Sequence, residues 1–253
     1  MKTIVMTHGA FCGGWAFDGF RKAFEASGWQ VIAQDLRGHG VDAAPSATAG
    51  VSMAEYAKDL ADLCATLDRP PVLLGHSMGG LVAQMAARRV KLEALVLLAP
   101  SAPWGVAGSS LEEAASAVAI QMMDPFGTSA VEPDRTVMTT YALDRLADEE
   151  RQRILSRLRP ESAMAMRQTL SWWMDPFMTT SVGPGPLGVR ALAIAGERDM
   201  VHPASTVRQT AARIGAAFET APGMSHWLMD GPGSDAVAAQ VLEWLALEAR
   251  AAA

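Results

Sequence analysis

Three residues far apart in the chain have the types that nucleophilic catalysis needs: Ser77, Asp199 and His226. A serine hydroxyl is a weak nucleophile at neutral pH. It needs a base within hydrogen-bond reach, and the base needs a group that orients it. Ser77 lies in Gly75-His76-Ser77-Met78-Gly79, a match to G-x-S-x-G. The pattern alone is weak, but its setting is stronger. An apolar run precedes it and a helical pattern follows at once, as a nucleophile on a sharp strand-to-helix turn requires. Side chains two residues to either side would collide in such a turn, and glycine avoids this. Gly80 lets the following helix pack closely. The same stretch would also serve as a plain glycine-rich turn, so its partners decide.

The order expected for this chemistry on a parallel sheet is serine, acid, histidine. Of five histidines, His8, His39 and His76 precede Ser77. His76 is adjacent to the serine, in a turn that would aim it elsewhere. His202 follows an apolar run closely and precedes a helix, which predicts a surface or cap-facing residue. His226 lies in APGMSHWLMDGPG, between the last strand-like run and the last helix. Loops at the carboxyl ends of strands are where such sheets place their sites, so His226 is the predicted base. For the acid, ALAIAGERDMVHP runs from a buried strand into a turn that carries Glu197 and Asp199. Asp199 stands further along the turn and can fold back toward His226, whereas Asp175 and Asp230 are weaker rivals. The developing oxyanion needs N–H donors. The amide of Met78, at a helix N-terminus, is one candidate. The amide of Ala10 in HGAFCGGW is the other, with Phe11 as the alternate.

These residues need elements to bring them together. Strand-like runs occur at 3–7, 30–34, 72–74, 94–98, 190–195 and 217–220. Helical patterns lie between them, at 15–27, 53–67, 78–89, 203–214 and 234–249. Ser52 and Glu55 have capping-box spacing at the start of one of them. Strand–helix alternation predicts an α/β fold with a parallel sheet covered on both faces. The alternation breaks between Leu98 and Arg190, where only helical patterns are legible, at 134–145, 148–158 and 160–173, together with a capping box at Ser110 and Glu113. A connection this long is uncommon within a compact domain. It reads as a helical cap over 101–186, inserted into a core formed by 1–100 and 187–253.

The 253 residues are half hydrophobic and carry a net charge of −6, which argues against a nucleic-acid partner. The Arg-rich stretch from Arg145 to Arg159 also carries acids and reads as a solvated helix face. Cys12 and Cys64 lie far apart, with no disulfide framework or metal spacing. The N-terminal apolar run is too short for a signal peptide, and no run approaches the length of a membrane span. A cytoplasmic, reduced setting is the expectation, with oligomeric state left open.

At this point the chain resembles the α/β-hydrolase superfamily, in particular its compact capped members. The residues that carry the likeness are THGAFCGGW, DLRGHG at Asp35–Gly40, GHSMGG, GERD and GMSH, in family order. The resemblance implies a mainly parallel six-stranded sheet whose first strand corresponds to the superfamily's third. It also implies a Ser77-His226-Asp199 triad, with no metal or organic cofactor. Haloalkane dehalogenases and epoxide hydrolases of this fold attack with a carboxylate, whereas this elbow carries serine. Plant-type hydroxynitrile lyases typically have threonine and lysine where this chain has Gly9 and Trp227. Acyl transfer to water is therefore expected: a serine esterase acting on small to medium apolar acyl substrates. Lactonase, thioesterase or C–C bond hydrolase chemistry is the alternative, and a ligand receptor without catalysis is the rival from another class. The cap's Met- and Trp-rich segments read as core first and pocket second. Phe11, Trp104, Trp173 and Trp227 are the substrate-binding candidates.

Overall fold

The computed structural model describes residues 2–108, 115, 118, 119, 122, 124–183 and 185–251. Among these residues there are eight strands: β1 (Lys2–Thr7), β2 (Trp29–Gln34), β3 (Val72–His76), β4 (Ala94–Leu98), β5 (Ala130–Val131), β6 (Glu161–Ser162), β7 (Ala191–Gly196) and β8 (Ala217–Ala221). Six of them form one sheet in the order β2-β1-β3-β4-β7-β8, with every pairing parallel. The central strands β3, β4 and β7 are buried at every position, whereas the edge strand β2 is only partly buried. Strands covered on both faces read as unbroken apolar runs, which is why VLL and ALVLL were legible.

Successive side chains leave a strand on opposite faces, and the core divides accordingly. Ile4, Met6, Val96 and Ile194 pack with Phe17, Phe20 and Phe24 on one side. Val5, Leu73, Leu97 and Ala193 pack with Met53, Leu60 and Leu81 on the other. The helices are α1 (Asp18–Ala26), α2 (Met53–Ala65), α3 (Met78–Ala86), α4 (Asp148–Leu155), α5 (Ala163–Leu170), α6 (Ala204–Ile214) and α7 (Ser234–Ala251). The expected capping box opens α2. Ser52 accepts from the Glu55 amide, and Glu55 accepts from the Ser52 amide at 2.9 Å. No helix among the described residues is long and apolar enough to cross a membrane.

The register matters for the site. Thr7 pairs with Gly75, His76 with Leu98, and Leu98 with Ile194. The carboxyl ends of β1, β3, β4 and β7 therefore lie side by side, and their loops share one edge.

The segment between β4 and β7 departs from the all-helical expectation. Ala130–Val131 pairs antiparallel with Glu161–Ser162. Two-residue strands are too short to show a period in sequence. The helix expected from Asp134 shrinks to Arg135–Val137 and continues as a π turn over Met138–Ala142. The helix expected from Pro160 begins only at Ala163, where the Ser162 hydroxyl caps it by accepting from Ala165. The box at Ser110 and Glu113 lies outside the described residues. The Arg-rich stretch is more than a solvated face. Arg153 pairs with Asp230 at 2.6 Å, and Arg157 lies over the Trp15 ring at 4.4 Å, so both tie the inserted segment to the core.

A buried polar group makes the same connection. Glu161 accepts the Tyr56 hydroxyl at 2.7 Å and pairs with His39 at 3.1 Å, with both the Glu161 and His39 side chains fully buried. Burial alone would push the His39 pKa down, but Glu161 raises it above the ordinary histidine value.

Candidate active site

Ser77 occupies the turn between β3 and α3 with φ +53°, a left-handed conformation that costs a serine energy. Its surroundings hold it there. Its amide donates to Leu98 at 3.0 Å, and its carbonyl accepts from Gly80 at 2.8 Å and from Ser101 at 3.0 Å. The flanking glycines are required by close approach. A Cβ on Gly75 would run into the Gly79 carbonyl, and one on Gly79 into the carbonyls of His8 and Thr7.

The loop after β8 brings His226 to the serine. Its Nε2 lies 3.0 Å from Ser77 Oγ, and its Nδ1 lies 2.9 Å from Asp199 Oδ2. Asp199 Oδ1 accepts from the amides of Val201 at 2.8 Å and His202 at 2.9 Å. Burial would raise the Asp199 pKa, but the His226 ring and these donors outweigh it and hold the carboxyl below its usual range. A carboxylate bound to Nδ1 leaves Nε2 as the atom facing the hydroxyl. The three side chains named from sequence thus form one continuous line of hydrogen bonds, able to draw the proton from Ser77.

The rival acids are engaged elsewhere. Glu197 accepts from the Gly223 amide, Asp175 caps its own turn at Phe177 and Thr179, and Asp230 pairs with Arg153.

The loop after β1 faces the same serine. A Cβ on Gly9 would lie 2.9 Å from the Ser77 Cβ, so only glycine lets this loop come so near. Phe11 has φ +65°, and its carbonyl is pinned by the Arg159 amide at 2.8 Å. His8 is fully buried and bridges two loops. It donates through Nδ1 to the Gly9 carbonyl at 2.8 Å and accepts from the Leu36 amide at 2.9 Å. Burial, with His39 adjacent, lowers its pKa to about 3, so it stays neutral. Among the described residues, the amides of Ala10 and Met78 have no loop, turn or side-chain acceptor, and both residues line the cavity at Ser77.

That cavity measures about 370 Å³. Val131, Val137, Met138, Met166 and Leu170 from the inserted segment form an apolar wall. Of the four side chains expected to meet a substrate, Phe11 and Trp227 line it. Trp104 and Trp173 are not among the lining residues. Trp104 packs against Trp172 with ring centroids 5.5 Å apart, and Trp173 is 58% exposed. Helical spacing groups these tryptophans with the wall residues but does not say which way each one turns.

Of the two placements expected for His202, surface or cap-facing, the surface one is excluded. It is 2% exposed and lines the cavity, its ring stands 5.1 Å from that of His226, and its Nε2 lies 3.0 Å from Ser101 Oγ. Ser101 was not singled out in the sequence, where APSAPW carries no chemical signature. Cys12 also lines the cavity. Burial, with Glu161 adding to it, raises its thiol pKa to about 12, which leaves the thiol neutral.

Comparison with known proteins agrees with this architecture. The model of the alpha/beta hydrolase family matches residues 4–240. Methylesterase 3 of Arabidopsis thaliana is 39% identical over 85 residues, covering 33% of this chain and 32% of that protein. Salicylic acid-binding protein 2 of Nicotiana tabacum is 34% identical over 113 residues, 43% of each chain. The matched stretch thus spans less than half the length of these relatives. The crystal structure of methylesterase MES16 from Arabidopsis superposes with a TM-score of 0.73 at 17% identity, covering 98% of this chain and 100% of that one. A pyrethroid hydrolase from Sphingobium faniae JZ-2 superposes with a TM-score of 0.63 at 20% identity, covering 98% and 99%. At these identities the likeness concerns the fold.

Proposed function

Because the chain belongs to the alpha/beta hydrolase family, we propose that it is a serine hydrolase cleaving neutral carboxylic esters with small to medium apolar acyl groups. The observation that carries this reading is the unbroken line from Ser77 through His226 to Asp199 at the floor of a mostly apolar cavity. His226 Nε2 takes the Ser77 proton as Oγ attacks the ester carbonyl. The carbonyl oxygen becomes an oxyanion facing the amides of Ala10 and Met78. His226 then gives its proton to the departing alkoxide, leaving an acyl-serine. A water entering from the alcohol side loses a proton to His226 and attacks the acyl carbon. Collapse returns the proton to Ser77 and frees the acid. Asp199 keeps the imidazole in the required tautomer and stabilises the imidazolium between steps.

The substrate class rests on the lining. Among the described lining residues there is no Lys or Arg, while Glu132 and Asp134 contribute carboxylates. An anionic substrate would meet like charge there, and a neutral ester would not. The names methylesterase and pyrethroid hydrolase among similar proteins support an ester over other acyl compounds. The inserted segment, as a cap, would shape the acyl pocket.

The test is hydrolysis of a short p-nitrophenyl ester by the native enzyme and by His226→Ala and His202→Ala. His226→Ala abolishes turnover on this reading, and His202→Ala retains a measurable rate. The reverse pattern would move the base to His202. A panel of esters, lactones and thioesters of graded length then identifies the preferred bond.

A further inference from the structure

The site's mechanism uses no part of Ser101 or of the His202 ring, yet both line the cavity beside Ser77 and His226. Their placement is built. Among the described residues, four that are not glycine have positive φ: Phe11, Ser77, Ala99 and Met178. The first two lie in the loops that meet the reacting atoms. Ala99, at φ +42°, is the third such turn at the sheet edge, and it delivers Ser101. The Ala99 amide donates to Ile194 at 2.7 Å. Ser101 is then fixed at both backbone ends. Its amide donates to the Ser77 carbonyl at 3.0 Å, and its carbonyl accepts from the buried Gln84 side chain at 3.3 Å. Strained backbone held this firmly is characteristic of functional positions.

The Ser101 side chain has hydrogen-bonding capacity to spare. A hydroxyl has one donor and two acceptor sites. Among the described residues its partner is His202 Nε2, at 3.0 Å. Whichever of the two donates, the hydroxyl keeps two further sites in a pocket wall where it is only 3% exposed. A buried polar group with unmet capacity favours a ligand that meets it and disfavours one that does not. His202 is itself fixed by its amide on Asp199 and by its edge-on ring against His226. The pair therefore stands beside Ser77 and His226, in a cavity whose lining is mostly apolar.

We propose that Ser101 and His202 form a polar subsite for a neutral hydrogen-bonding substituent, a hydroxyl or a carbonyl, carried by the ester close to its reacting carbonyl. The subsite determines specificity within the hydrolase reading, on which it rests. A substrate bearing such a group satisfies the Ser101 hydroxyl, whereas a purely aliphatic isostere leaves it unmet.

Two esters of matched shape test this: methyl 3-hydroxybutanoate and methyl 3-methylbutanoate, which differ by a hydroxyl in place of a methyl. Dissociation constants are measured calorimetrically in a Ser77→Ala background, so that binding is read without turnover. The subsite predicts tighter binding of the hydroxy ester. It also predicts that adding Ser101→Ala lowers the preference ratio about tenfold, the worth of one such hydrogen bond. Ser101→Cys, similar in size but a weak hydrogen bonder, gives the same fall and serves if the alanine variant is unstable. No preference in the Ser77→Ala protein, no measurable binding, or a ratio unmoved by both substitutions overturns the proposal. Failure of the hydrolase reading shows separately, as native enzyme that binds the esters and hydrolyses neither.

Discussion

His76 donates a hydrogen bond from its Nε2 to the backbone carbonyl of His226 across 3.0 Å, with the two rings 4.8 Å apart. Burial drives the His76 pKa well below its ordinary value, so the ring is neutral and its proton sits on Nε2. The residue beside Ser77 thereby anchors the loop that carries His226. A turn that aims it away from the serine is legible in sequence, but its contact with His226, 150 residues further along the chain, has no local signal.

Removing that anchor should misplace His226. His76→Phe is expected to lower kcat about 10²-fold, the usual consequence of an ångström-scale displacement, while KM moves far less. His76→Gln keeps a donor and should recover part of the loss. Steady-state kinetics on one ester, with both variants checked for folding by circular dichroism, measures this. A larger effect on KM than on kcat would contradict the positioning role.

Gly79 has no room for a methyl group, since a Cβ there meets the backbone carbonyls of Thr7 and His8 rather than a flexible side chain. Gly79→Ala should destabilise the protein by about 3 kcal/mol, the upper part of the range for overpacking. Gly223→Ala provides the comparison, because its Cβ meets nothing but its φ of +70° strains any side chain. Urea unfolding of both variants should place Gly79→Ala well below Gly223→Ala in midpoint.

The buried His39–Glu161 pair gives stability a defined pH dependence. The folded His39 pKa is raised above the unfolded value of about 6.5. The stabilisation it provides is therefore complete below about pH 6.5 and is lost as pH rises through the folded pKa. The groups that face the pair are the Tyr56 hydroxyl on Glu161, the neutral Cys12 thiol and the neutral His8 ring, 4.9 Å from that of His39. The difference in Tm between the native protein and His39→Gln should be largest near pH 6 and shrink toward pH 9. A difference that grows with pH would reverse the assignment.

Asp199→Asn leaves the shape of the site but removes the charge that fixes the His226 tautomer. A fall in kcat of about 10⁴ is expected, as in other serine triads, with the protein still folded. Activity within tenfold of native would show that another carboxylate orients the base.

How much of this was legible depended on whether the signal was local. The sheet was readable because strands buried on both faces are unbroken apolar runs. Ser77, Asp199 and His226 were readable because each lies in a loop at a strand end, in the order the chemistry uses. Glu161, Ser101 and His202 were not. Glu161 matters through contacts with Tyr56 and His39, both more than a hundred residues away. The Ser101–His202 pair depends on the turn at Ala99 and on the packing of a loop against His226. Trp104 and Trp173 failed for the same reason: a composition-based reading names the side chains near a cavity but not their direction.

Ser77 as the nucleophile is tested by mass spectrometry of the folded protein after exposure to an organophosphate fluoridate, with the modified peptide sequenced. One adduct is expected, on Ser77, lost in Ser77→Ala and greatly slowed in His226→Ala. Folded native protein that takes no label, or takes it on Ser101 instead, would contradict it.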